Sequence, residues 1–158
     1  MIDVNSTGRR PDRYALHRGR HLLGTVTLGA RTSGGAVEVD GVAYEVRAGT
    51  ARGAYDLVAA DGSVAAAAER VHRRTWSLRT ADGTRWFRRD RLGGAESLTG
   101  ADGRALGRVT RSRLRGAAVD LPGLDLPVQA FALTLVLMRR RRRRRVATRT
   151  TAVSVIGR

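Results

Sequence analysis

Apolar residues are distributed in two ways along this chain. Up to Leu121 they come in short alternating runs, each closed by a turn signal. From Leu126 to Met138 they form one block, Leu-Pro-Val-Gln-Ala-Phe-Ala-Leu-Thr-Leu-Val-Leu-Met, that is apolar on every face. In the first regime Asp-Gly recurs at 40–41, 61–62, 82–83 and 102–103, and the last three pairs each follow an alanine. Asp-Gly suits tight hairpins, because glycine accepts positive φ and aspartate tolerates it. The flanks agree with that reading. Val37–Val39 faces Val42–Val46, Tyr55–Ala59 faces Ser63–Ala68, Trp76–Thr80 faces Thr84–Arg88, and Glu96–Thr99 faces Arg104–Val109. Alternation at Tyr55, Leu57, Ala59 and at Val64, Ala66, Ala68 marks strands with one inward face.

An earlier hairpin joins Arg13–Arg18 to Leu22–Leu28 about Gly19-Arg20, and a short strand is expected near Ala117–Leu121. About eleven or twelve short strands at even spacing predict a mainly β fold, an antiparallel meander closed into a barrel. Blades of a propeller need about 40 residues each, too many for this chain. Ala65–Ala68 followed by Glu69 is helix-compatible, but the regular turn spacing favours a strand. Register in the third hairpin stays open: an Asp-Gly loop pairs Leu78 with Phe87, an Ala-Asp-Gly loop pairs it with Trp86.

The block at 126–138 reads as a helix. Pro122-Gly123 breaks the preceding strand, and Asp125 with Pro127 makes a helix start. Its thirteen residues span roughly 20 Å, against the about 20 apolar residues usual for a membrane span. A helix with no polar face needs surroundings on every side, so it is expected to thread the barrel. A membrane anchor over Leu121–Met138 is disfavoured by that length and by Pro122, Asp125 and Pro127. Residues 1–12 read as a disordered lead-in, 13–138 as the barrel domain, and 139–158 as a basic tail, frayed or with a weak strand at Ala152–Ile156.

Charge changes the picture at the end of the helix. The net charge is +16, and every one of the thirty basic residues is arginine. Residues 139–158 hold nine of them and no acid, while residues 13–138 set nineteen against twelve acids. Arginine–anion chemistry could account for the missing lysine, but a GC-rich genome is the simpler account and is favoured. No cysteine is present, which excludes disulfides, thiolate zinc sites and cysteine nucleophiles. The N-terminus lacks the apolar run of a secretory signal, so a cytoplasmic protein is expected.

Many short antiparallel strands followed by one wholly apolar C-terminal helix resemble the tubby C-terminal-like fold, shared by tubby proteins, phospholipid scramblases and LURP-one-related proteins. The units that carry the resemblance are Tyr55-Asp-Leu-Val-Ala-Ala-Asp-Gly-Ser-Val-Ala, Trp76-Ser-Leu-Arg-Thr-Ala-Asp-Gly-Thr-Arg-Trp-Phe, the stretch Glu96–Val109 and the Leu126–Met138 helix. The resemblance implies a twelve-stranded barrel around a central helix, and phosphoinositide binding or lipid movement as function. The family's phosphate-contacting positions do not map residue by residue onto this chain, and neither a scramblase-type calcium segment nor a cysteine-rich palmitoylation stretch is present.

Two arginine clusters are candidate anion sites. The first is the run Arg139, Arg140, Arg141, Arg142, Arg143, Arg144 and Arg145. Beside an apolar segment it suits anionic phospholipid headgroups; it suits nucleic-acid phosphates too, and as a solvated run it simply caps the helix. The second comprises Arg73, Arg74, Arg88, Arg89 and Arg91, with Arg79 and Arg85, interleaved with Trp76, Trp86 and Phe87. Basic residues among aromatics bind single strands by stacking or dip into a membrane interface; core aromatics with arginines on the opposite face produce the same pattern. His17, His21 and His72 are expected at the surface, with no third ligand near the first two. There is no Gly-x-Ser-x-Gly elbow and no phosphate-loop pattern. No enzyme, metal or cofactor is expected. The first expectation for a partner is an anionic phospholipid surface, with nucleic acid second; no small-molecule substrate is indicated, and the oligomeric state is open.

Overall fold

A computed structural model describes residues 1–7, 12–30, 34–111 and 116–154. Twelve strands are followed by one helix: β1 (Ile2–Ser6), β2 (Arg13–Arg18), β3 (His21–Leu28), β4 (Gly34–Val39), β5 (Val42–Ala48), β6 (Tyr55–Ala59), β7 (Val64–Glu69), β8 (Thr75–Thr80), β9 (Gly83–Arg89), β10 (Ala95–Thr99), β11 (Ala105–Arg111), β12 (Ala117–Asp120) and α1 (Leu126–Ser154). Each strand pairs antiparallel with its neighbours in sequence, and β1 pairs with β12 to close the barrel. Closure leaves no unpaired edge, which is how a sheet this large avoids an aggregation-prone rim.

Two sequence expectations need correction here. Residues 2–6 are no lead-in: Ile2 and Val4 point into the core, and Asp3 sits between Ala118 and His17 as the closing strand. Two inward apolar residues among polar neighbours are too few to stand out in sequence, yet closure supplies both partners. The helix does not stop at Met138. It continues through the arginines to Ser154, which excludes a strand over 152–154; 155–158 lie outside the described residues. Arginine is a good helix former, so nothing in the run ends the helix.

The four Asp-Gly pairs make three kinds of turn. Asp40 (φ 50) and Gly41 (φ 76) form a two-residue loop between directly paired Val39 and Val42, the left-handed pair that a primed hairpin turn requires. Around Asp61 and Asp102 the loops take in the preceding alanine, and each aspartate Oδ1 accepts the backbone N–H two residues on, from Ser63 at 2.9 Å and Arg104 at 3.0 Å. In the third hairpin the loop is Ala81-Asp82, with Thr80 opposite Gly83. Leu78 therefore faces Arg85, and neither expected register holds. Gly83 (φ 116) opens β9 in a conformation closed to other residues. This register puts Trp76 against Phe87 inside the barrel, their rings stacked 4.3 Å apart, while Trp86 faces outward.

Bulges complete the turn end. In β6–β7 the pairing shifts from Leu57–Ala66 to Val58–Val64, so one extra residue of β7 is accommodated. Val64, expected inward with Ala66 and Ala68, is consequently 56% exposed. Below the barrel the chain turns through Pro122-Gly123, and the Asp125 carbonyl accepts the Gln129 N–H at 2.9 Å to begin α1. From Ala130 to Met138 every residue of α1 is buried, against a wall of Leu16, Val26, Val37, Leu57, Trp76, Phe87, Leu98 and Val109. Thr134, the polar exception, returns its hydroxyl to the Ala130 carbonyl at 2.7 Å.

Candidate functional site

The helix leaves the barrel at the end opposite the Asp-Gly turns, where successive residues of α1 are rotated by about 100°. Arg139, Arg140 and Arg141 therefore fan out to three different parts of the rim. Arg139 donates to the Val71 carbonyl at 2.9 Å, and its guanidinium pairs with Glu96, which is only 2% exposed. The other Glu96 oxygen accepts the Trp76 indole N–H at 2.8 Å. Arg140 donates to the Gly94 carbonyl at 3.3 Å. Arg141 donates to the Gly29 carbonyl at 3.0 Å and pairs with Asp12 at 3.1 Å. Three consecutive arginines thus clamp the helix to the β7–β8, β9–β10 and β3–β4 connections.

The second half of the run differs. The side chains of Arg142, Arg143 and Arg145 are exposed and make no hydrogen bond or ion pair with any described residue, whereas Arg144 has an interaction of its own. Arg73 and Arg74, from the β7–β8 connection, are exposed at the same rim, and Arg74 Nε donates to the Arg89 carbonyl at 3.2 Å. Arg89 faces inward because it lies opposite Glu96. Its Nη1 is buried without a hydrogen-bond partner. Burial, with Arg143 and Arg74 close by, holds the Arg89 pKa below its ordinary value. Burial and the neighbouring Arg89, Arg143 and Arg140 push Arg139 down to about 9, and burial with Arg111 and Arg144 lowers Arg140. Guanidiniums at this rim are crowded beyond what Glu96 and Asp90 neutralise, since Asp90 also accepts the Gly94 and Ala95 N–H groups at 2.9 and 3.1 Å.

The two arginine clusters of the sequence therefore meet, in part. Arg74, Arg89, Arg139, Arg140 and Arg143 converge, Arg73 adds its carbonyl to the Arg139 clamp, and Arg88 and Arg91 are exposed near the same end. Arg79 pairs with Thr84 and Arg85 with Leu78, toward the turn end, so neither belongs to the rim. Trp76 and Phe87 are core. Two contributors escaped sequence reasoning. Glu96 sits two residues before inward-facing Leu98, a position whose parity announces a buried carboxylate. His72, expected at the surface, is half-buried with Nδ1 enclosed and unpartnered; nothing in its local sequence signals this.

Among the described residues no His, Cys, Asp and Glu group is arranged to hold a metal ion, and no helix is long and apolar enough to cross a membrane. Comparison with protein-family models, with curated proteins and with solved structures finds no match.

Proposed function

We propose that this protein is a non-enzymatic β-barrel that associates with an anionic phospholipid surface, at the inner face of the cytoplasmic membrane, through the arginine rim around the helix exit. The observation that carries this reading is the crowding of guanidiniums there beyond the available carboxylates, with Arg142, Arg143 and Arg145 exposed and in no ion pair with a described residue. Each arginine brought to an anionic surface contributes about 1 kcal/mol, so these three supply on the order of a hundredfold in affinity. The resemblance to the tubby-like and LURP-one-related group supports the same role, since that group implies lipid phosphate as ligand. Nucleic acid is the competing anion. It is disfavoured because two of the three aromatics that would stack on bases, Trp76 and Phe87, are enclosed in the barrel, which leaves Trp86 alone facing outward.

Co-sedimentation with vesicles of phosphatidylglycerol and of phosphatidylcholine tests the reading. Binding to the anionic vesicles alone, weakening with salt, is the expected result. Equal binding to both, or to neither, overturns it; tight, salt-sensitive binding to single-stranded RNA without vesicle binding assigns the rim to nucleic acid.

A further inference from the structure

Three large apolar side chains are exposed on the side of the molecule that carries β9, the β9–β10 loop and Arg143. Leu92, at the tip of that loop, is 97% exposed. Trp86 faces outward from β9 between Ser77 and Thr99 and is 47% exposed. Val146 is exposed on α1, three residues and so about one turn beyond Arg143. The Arg143 guanidinium in turn lies over Gly93, 3.5 Å from where a Cβ would stand, which brings the helix exit to the loop tip. The other exposed large apolar residues among those described, Met1, Leu22, Val42, Val64 and Leu106, sit at the turn end, where the Asp-Gly aspartates are.

A lone exposed leucine is ordinary; Leu92 differs in how it is held and in what surrounds it. The Asp90 carboxylate accepts the Gly94 and Ala95 N–H groups, and the Asp90 N–H goes to the Ala95 carbonyl at 3.0 Å. The Arg111 N–H and the Arg140 guanidinium both reach the Gly94 carbonyl. The loop is thus pinned to the strands and to the helix, so little of it is left to order on contact. Arg88 is exposed two residues from Trp86 on the same outward face, and Arg91 is exposed next to Leu92. Neither side chain makes a hydrogen bond or ion pair with any described residue. The outward positions of β8, β9 and β10 hold no carboxylate, since Glu96, their one acid, faces the interior. Apolar side chains interleaved with such guanidiniums match the interface of an anionic bilayer, where tryptophan sits at headgroup level and arginine meets phosphate.

We propose that an anionic bilayer docks on this side of the barrel, with Leu92 and Trp86 entering the lipid and Arg88, Arg91 and Arg143 meeting its phosphates. The proposal rests on the reading of the rim as a lipid-binding surface, and adds to it an orientation and an apolar contribution. Trp86 lies three residues back from the rim end of β9, about 10 Å along the strand. The barrel axis therefore tilts toward the membrane instead of standing upright on it. The aspartates of the turn end point away from the negative surface in that orientation. A second copy of the chain is a poorer occupant, because at +16 it brings the wrong sign to these guanidiniums.

Intrinsic fluorescence reads this face directly. The chain has two tryptophans, and Trp76 is fully enclosed, so a change in emission on docking reports Trp86. Phosphatidylglycerol vesicles should shift the emission to the blue and protect it from acrylamide, and Trp86→Phe should show neither effect. Leu92→Ser, at a position in open solvent, should keep the native Tm and weaken vesicle binding about tenfold. Val64→Ser, at the turn end, should bind as the native chain does. Vesicle binding with Trp86 still open to acrylamide, or undiminished in Leu92→Ser, overturns the proposal and leaves a rim that docks by charge alone. No vesicle binding by the native chain removes the proposal together with the reading beneath it. Protection of Trp86 that grows with protein concentration in the absence of vesicles assigns the face to a second copy and overturns it as well.

Discussion

Leu126–Met138 and Arg139–Arg145 are consecutive stretches of one helix, and their surroundings could hardly differ more. The first is enclosed by a wall of strands, on all sides from Ala130 onward, with its lone deeply buried hydroxyl bonded within the helix. The second begins inside the rim and ends in solvent, and the change takes one turn. Arg139, Arg140 and Arg141 still belong to the barrel, because rim carbonyls and two carboxylates receive them. Arg142, Arg143 and Arg145 do not. Seven identical residues therefore fall into two jobs, fixed by distance from the rim and by the rotation of about 100° per residue. A charge run is neither wholly a cap nor wholly a binding site; its first three residues are structural, and Arg142, Arg143 and Arg145 are available.

The largest effect should come from erasing the difference between the two stretches. Leu133→Arg places a guanidinium where no rim carbonyl or carboxylate reaches it, deep inside the barrel. An unpaired buried charge of this kind should abolish folding, checked by loss of the thermal transition and of soluble protein. Next comes the latch where the two stretches meet. Glu96→Gln leaves Arg139 without its carboxylate and should cost about 3–5 kcal/mol, measured by denaturant unfolding. Combining Glu96→Leu with Arg139→Met should recover part of that loss, because an apolar pair of similar volume often replaces a buried ion pair without penalty.

Smaller changes sharpen the boundary. Arg141→Ala removes a partly exposed clamp on Gly29 and Asp12 and should cost about 1 kcal/mol. Acid tests His72. Its folded pKa lies below that of the unfolded chain, so the unfolded state binds the extra proton first. The stability that follows is complete above the unfolded value of about 6.5 and declines as the pH falls toward the folded pKa. The acid-induced drop in Tm should therefore be smaller in His72→Gln than in the native chain.

The barrel was legible because its signals are local and repeated. Asp-Gly turns at near-constant spacing predict hairpins wherever they occur, and a helix without a polar face demands enclosure. What escaped is long-range. The closing strand β1 has only Ile2 and Val4 to announce it, and its partners lie at the other end of the domain. The third hairpin's loop was hidden because Ala-Asp and Asp-Gly both make two-residue turns, and only packing of Trp76 on Phe87 decides between them. At the rim, both arginine clusters could be found by counting charge. Which arginines are spent on the fold depends on carbonyls 46 to 112 residues away in sequence, beyond any local pattern.

The division of the run at Arg141 is the central claim, and one paired measurement tests it. The triple variant Arg142→Gln, Arg143→Gln, Arg145→Gln is compared with the native chain for thermal stability and for binding to phosphatidylglycerol vesicles. Unchanged Tm, within about 2 °C as expected for exposed substitutions, together with at least a tenfold loss of vesicle binding, is the predicted result. A variant that binds as the native chain does, or one that loses its fold, contradicts it.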